Sequence, residues 1–325
     1  MLSNQILSLG YKPYNSSTKN VIPLKVAQQA DDLHKMDDYQ RFTQHSIEHY
    51  ERIFGHETPE SVKLPNVMDE VNLHFDIFMI GDTHLLFMPK EGSYNSLNEF
   101  HEVKENKVVK SVEEVINVLQ KMYPDRNIYF FEHGSGKNAI RNINRKEVLS
   151  AHGHFIIPPQ NTQPLHDEII KQIHKTLTPD LGWKRPNEDP NALLGINKRN
   201  SSIREIFEII ASNTGNNREK AYLLFSTITP DNSISFNFIP KDCNEQKTIS
   251  QIFRRVLSKF FKGVDNTDCY DWKKLVTDNS FSLTQEQRIM EHKAGINDFL
   301  FRLDKITNKV KQVHFRGRKV LDLTA

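Results

Sequence analysis

Apolar and polar residues alternate through Val71-Asn72-Leu73-His74-Phe75-Asp76-Ile77-Phe78-Met79, the period of a half-buried strand. Gly81-Asp82 can turn the chain into a second apolar run, His84 to Met88, which predicts an antiparallel hairpin. Val112, Val115, Ile116, Val118, Leu119 and Met122 then recur at helical spacing. Ser111 and Glu114 are placed as a capping box at the start, and Pro124-Asp125 ends the helix. A strand follows from Asn127 into the loop Gly134-Ser135-Gly136, and a last one runs from Ser150 to Pro158. Strand, strand, helix, strand, loop, strand predicts an α+β fold: an antiparallel sheet with flanking helices.

The pattern divides the chain into three parts. Residues 1–65 form a helical extension, with one helix carrying Leu24, Val26, Ala27, Ala30, Leu33 and Met36 and another from Tyr39 to Phe54. Residues 66–160 are the core just described. Residues 161–325 are an appended α/β region: a helix at Asp167 to Leu177, a long polar loop from Pro179 to Ser202, and a helix at Ile203 to Ala211. A hairpin follows, Tyr222 to Ile228 and Ile234 to Phe238 around Thr229-Pro230-Asp231-Asn232, then a helix at Ile249 to Phe261. A long helix from Thr284 to near Val313 leads into a basic tail with Arg316, Arg318 and Lys319.

Composition narrows the class. The chain has 325 residues and a formal charge of +2, so it can bury a sizeable core and carries no wholesale basic footprint for nucleic acid. No apolar run reaches membrane-spanning length, and the start lacks a basic-then-apolar leader, so a cytoplasmic location without membrane association is the expectation. Cys243 and Cys269 are the only cysteines and lie in no Cys-x-x-Cys arrangement, which argues against a structural zinc site or a disulfide framework.

The chemistry concentrates at Ser150-Ala151-His152-Gly153-His154. In a strand Ser150, His152 and His154 share one face, while Ala151, Gly153 and Phe155 pack on the other. The preceding loop holds Lys137, Arg141, Arg145 and Lys146, cations suited to a phosphate. A histidine can serve as a phosphoryl nucleophile with its neighbour as hydrogen-bonding partner or proton donor. Two histidines at this spacing also suit zinc, but no third ligand stands nearby in sequence, so no metal is assigned. Gly134-Ser135-Gly136-Lys137 lacks the first glycine of a P-loop, which sets nucleoside-triphosphatase chemistry aside.

These residues resemble the histidine-triad (HIT) superfamily of nucleotidyl hydrolases and transferases. The matching runs are Phe131-Glu132-His133-Gly134 and Ser150-Ala151-His152-Gly153-His154, with Ser150 where the first histidine of the triad is expected. Gly81 to Glu91 is similar to a further strand of the family, and Ala221 to Phe225, Ser250 to Leu257 and Asp271-Trp272-Lys273 resemble the carboxy-terminal pattern of one branch. The resemblance implies a HIT-like sheet with His152 as the nucleophile that forms a nucleotidyl-histidine, His154 stabilising the transferred phosphoryl oxygens or hydrogen-bonding to the leaving oxygen, and Ser150 in a reduced supporting role. Lys137, Arg141, Arg145, Gly134, Ser135, Glu132 and His84 are the expected nucleotide- and phosphate-binding residues. The implied substrate is a dinucleoside polyphosphate, a nucleoside phosphoramidate or a nucleotide sugar. No cofactor is required, although Mg is compatible as a companion of the nucleotide, and a homodimer is implied. Two other readings stay open: a nucleotide-binding protein of little activity, and a deadenylase acting on nucleic-acid ends.

Overall fold

Period-two alternation requires a sheet with two chemically distinct faces, and the computed structural model shows one. It describes residues 61–76, 79–90, 94, 96–104, 106–134, 151–184, 186, 189, 193–214, 221–241, 246, 251–262, 285–306, 312–314 and 321–322. The helices expected before residue 60 lie outside these. Among the described residues there are ten strands: β1 (Ser61–Lys63), β2 (Val71–Phe75), β3 (Thr83–Pro89), β4 (Ile128–Gly134), β5 (Gly153–Ile157), β6 (Ile196–Lys198), β7 (Ala221–Ile228), β8 (Ile234–Lys241), β9 (Gln312–His314) and β10 (Leu321–Asp322). They form a single sheet in the order β10-β9-β1-β2-β3-β5-β4-β7-β8-β6, paired antiparallel throughout. The fold is α+β.

Among the described residues six helices cover the two faces: α1 (Leu97–Lys104), α2 (Asn106–Met122), α3 (His166–Thr176), α4 (Ile203–Thr214), α5 (Ile252–Lys262) and α6 (Gln285–Ile306). On one face Leu85, Phe87, Phe130, Phe155 and Leu224 pack with apolar residues of α1, α2, α4 and α6. On the other, Tyr129, Phe131, Ile156, Leu223 and Phe225 pack with those of α3 and α5. β4 and β7 pair along their length, from Ile128 opposite Ile228 to Gly134 opposite Tyr222, so the strands on either side of residue 160 share one sheet.

Three local expectations change. Helix α2 starts at Asn106, so Ser111 lies inside it, and its Oγ accepts the Met68 N–H at 3.0 Å rather than capping the helix. Buried Val108 and Val109 continue the apolar stripe upstream, and this tertiary packing overrides the capping signal. The polar stretch after Pro179 contains a 3₁₀ turn (Pro179–Leu181) and strand β6, held by pairing with β8. The last helix ends at Ile306, and residues 312–314 form β9, paired with β1.

Consecutive residues of β4 serve opposite faces. Phe131 faces α5, while Glu132 is buried on the other side. There it accepts the Leu97 N–H at the start of α1 and the Tyr222 hydroxyl, both at 2.6 Å. Gly134 lets the tyrosine in: a Cβ there would lie 2.3 Å from the Tyr222 ring. Burial lifts the Glu132 pKa from 4.5 to about 7, against the lowering effect of the Tyr222 and Leu97 hydrogen bonds. The folded state thus holds this proton more tightly than the unfolded chain. The resulting stabilisation is complete below pH 4.5 and is lost as the pH rises through about 7. In urea denaturation across pH 4 to 8, Glu132→Gln should remove this dependence. The wild type should lose stability relative to the variant within that window, at up to about 1.4 kcal/mol per pH unit.

Candidate functional site

Strand register aligns a polar row on the face that α5 covers. His154 on β5 lies opposite Leu86 on β3 and Phe131 on β4, and Phe131 lies opposite Phe225 on β7. His84, two residues before Leu86, reaches diagonally so that its Nε2 lies 2.9 Å from His154 Nδ1. Asp76, just past β2, donates its N–H to the His84 carbonyl at 2.9 Å, and its Oδ2 lies 3.4 Å from His84 Nε2. The Arg254 guanidinium descends from α5 and donates to the same Oδ2 at 2.6 Å. His152 stands beside His154, with ring centroids 4.9 Å apart.

Packing fixes these side chains. Phe131 stacks on His154 at 4.4 Å and 17°, and Phe253 of α5 leans on Phe131 at 4.9 Å. Gly153, between the two histidines, faces the other side, where a Cβ would meet the Phe130 ring at 2.7 Å and Leu97 Cδ1 at 2.9 Å. The His-Gly-His step is therefore what the opposite core permits. His84, Asp76 and Arg254 are buried, whereas His152 and His154 are half-buried, as are Asn72, His74, Leu86 and Met88 on the same face of β2 and β3. The row runs from a closed end at Asp76 to an open shelf at His152.

The electrostatics keep the His84 and His154 rings neutral. Burial pulls the His84 pKa from 6.5 to about 3; Asp76 opposes the shift, and Arg254 and His152 add to it. His154 is held well below the usual imidazole range by burial first, then by His152, His84 and Arg254. A carboxylate beside His84 Nε2 favours the tautomer with its proton there, shared between Asp76 and His154 Nδ1. His154 Nδ1 then accepts, and the His154 proton resides on Nε2. The row turns His154 into a fixed hydrogen-bond donor beside His152.

Asp76, His84 and His154 also present possible ligand atoms within 4.8 Å of one another, a third group that sequence spacing did not suggest. However, Arg254 places a fixed positive charge on the carboxylate that a cation would need, and the His84–His154 hydrogen bond occupies both facing nitrogens. The arrangement favours proton sharing over metal binding.

Of the residues expected from sequence, the structure brings together His152, His154 and His84. It places Glu132 and Gly134 on β4, with the Glu132 carboxylate on the opposite face, engaged by Leu97 and Tyr222. Ser135, Lys137, Arg141, Arg145 and Ser150 lie outside the described residues, as do Cys243, Cys269 and Trp272. Sequence reasoning missed Asp76 and the buried role of Arg254. Both left a signal. Asp76 continues the Asn72, His74 face of an alternating strand, and Arg254 interrupts the buried run of Ile252, Phe253, Val256 and Leu257.

The known proteins give little. No family model matches the chain, and no curated protein does. A solved structure with some similarity is yeast Ap4A phosphorylase Apa2 in complex with AMP, 11% identical, with a TM-score of 0.31, over 66% of this chain and 79% of that one. At that distance the likeness bears on neither the site nor its chemistry. No helix among the described residues is long and apolar enough to cross a membrane.

Removing one member of the buried pair should cost more than removing both. Arg254→Leu is expected to lose about 3–5 kcal/mol by leaving Asp76 uncompensated, and Arg254→Leu with Asp76→Leu should recover much of that loss. Chemical denaturation of the two variants beside the wild type measures the difference.

Proposed function

We propose that the chain is a HIT-like nucleotidyl hydrolase or transferase in which His152 attacks the α-phosphorus of a nucleotide. A P–N bond to His152 forms, the bond from phosphorus to the leaving group breaks (P–O in a polyphosphate or nucleotide sugar, P–N to the amine in a phosphoramidate), and water or a second acceptor then takes the nucleotidyl group from the histidine. The observation that carries this reading is the hydrogen bond from His84 to His154 Nδ1. A neutral imidazole N–H is a poor acid but a good hydrogen-bond donor. The role that follows for His154 Nε2 is to stabilise charge on the transferred phosphoryl oxygens, leaving His152 to supply the lone pair.

The shelf formed by Asn72, His74, Leu86 and Met88 offers a partly apolar floor beside the histidines, suited to a base or sugar. Lys137, Arg141 and Arg145 would spread the phosphate charge, with Ser150 supporting the nucleophile. The substrate classes are dinucleoside polyphosphates, nucleoside phosphoramidates and nucleotide sugars.

Intact-mass measurement after incubation with a panel of these compounds, with product chromatography alongside, tests the proposal. The wild type should show a nucleotide-sized adduct or release a nucleoside monophosphate, and His152→Ala should show neither. His154→Phe, which keeps a ring against Phe131 but removes the donor, should still form the adduct with kcat lowered by about 10²–10³. An adduct that survives in His152→Ala and disappears in His154→Phe would reverse the two roles. Binding without adduct or turnover in the wild type would overturn the catalytic reading.

A further inference from the structure

Helix α5 has a second polar face. Arg254 and Phe253 point into the sheet, toward Asp76 and Phe131. Arg255 and Lys259, four residues apart and so on one side of the helix, line a cleft of about 340 Å³ between α5 and α3. Gln172, Lys175, Thr176 and Thr178 form the opposite wall. The cleft thus combines three cationic groups, two hydroxyls and an amide, with no carboxylate among the described lining residues. Its volume falls at the small end of the roughly 300–1,000 Å³ range of ligand sites.

We propose that this cleft binds the phosphate groups of a small polyphosphorylated molecule, at a site separate from the histidine row. Cations on two helices that face one another across a cleft can hold one multiply charged anion between them, which a single helix face cannot do. A guanidinium carries five N–H groups and an ammonium three, so each of these side chains can donate to more than one acceptor at a time. The Thr178 hydroxyl and the Gln172 amide add short-range donors that select phosphate oxygens over bulk counter-ions, whereas the Thr176 hydroxyl donates to the Gln172 carbonyl at 2.8 Å. A small ligand is favoured over a nucleic-acid strand because the cations are gathered in one cleft of a chain whose formal charge is only +2. The inference does not depend on the proposed reaction.

Isothermal titration of the full chain with inorganic triphosphate tests it, in the wild type and in His152→Ala. Saturable binding retained in His152→Ala, and weakened at least tenfold by Arg255→Ser with Lys259→Ser and separately by Lys175→Ser, is expected. Lys171→Ser, at an exposed cation of α3 outside the cleft, should leave the affinity within twofold. Circular dichroism and thermal melting confirm that each variant is folded. Absence of saturable triphosphate binding, or equal losses in Lys171→Ser and Lys175→Ser, would overturn the proposal. So would a single-stranded oligonucleotide that binds with length-dependent affinity where triphosphate does not. Because the readout is binding in a variant without the proposed nucleophile, its failure is distinct from a failure of the nucleotidyl-transfer reading.

Discussion

The buried contact between Arg254 and Asp76 is the constraint around which the histidine face is organised. Neither charge can be left alone in an apolar interior, so each requires the other, although 178 positions separate them in the sequence. Their pairing ties α5 to the end of β2. That tether brings Phe253 onto Phe131, and Phe131 onto His154, so the orientation of a half-buried ring is tied to an ion pair on neighbouring elements. It also sets a sign. A guanidinium close to His84 and His154 adds to burial in opposing a second positive charge on either ring.

Local periodicity made most of the fold legible. The β2–β3 hairpin, β4, β5, the β7–β8 hairpin and the helices α3, α4 and α5 all fall where alternation, helical spacing and turn residues put them. The misplaced boundaries share a cause. Ser111 carried a strong capping signal, yet its hydroxyl is used by Met68, 43 positions away, and β6 is a strand because β8 lies beside it. At the site, the histidine pair was legible because its members sit two apart on one strand. Asp76, His84 and Arg254 come from three separate elements, and which polar residues of those elements meet is decided by strand order and by the placement of α5. A single sequence does not contain that order in any local form.

The run from Phe131 to Gly134 shows how one short motif can serve two assemblies. Phe131 supports the histidine face, Glu132 holds the start of α1 and the Tyr222 hydroxyl on the other, and Gly134 leaves room for the tyrosine ring. Gly153 repeats the arrangement on β5, where the histidines face one way and the absent side chain makes room for Phe130 on the other. The chemical face and the packing face are therefore not independent. A side chain added at either glycine would press on the core first and disturb the histidines through it.

Neutral imidazoles recur across this face. His166 is pulled to about 4 by burial, and His174 accepts the Leu194 N–H on Nδ1 while its Nε2 donates to Asn237. A face built this way has fixed donors and acceptors but draws little positive charge from its buried rings at neutral pH. Attraction for an anionic substrate must then come from groups that stay charged. The buried Arg254 is paired with Asp76, so under the proposed function that task falls to cations elsewhere: Lys137, Arg141 and Arg145, which precede β5 in the sequence, are proposed for the histidine site, and Lys175, Arg255 and Lys259 for the cleft between α3 and α5. The separation has a chemical advantage. A nucleophilic imidazole works only unprotonated, so a site that captures phosphate with lysine and arginine can keep its histidines free for bond making.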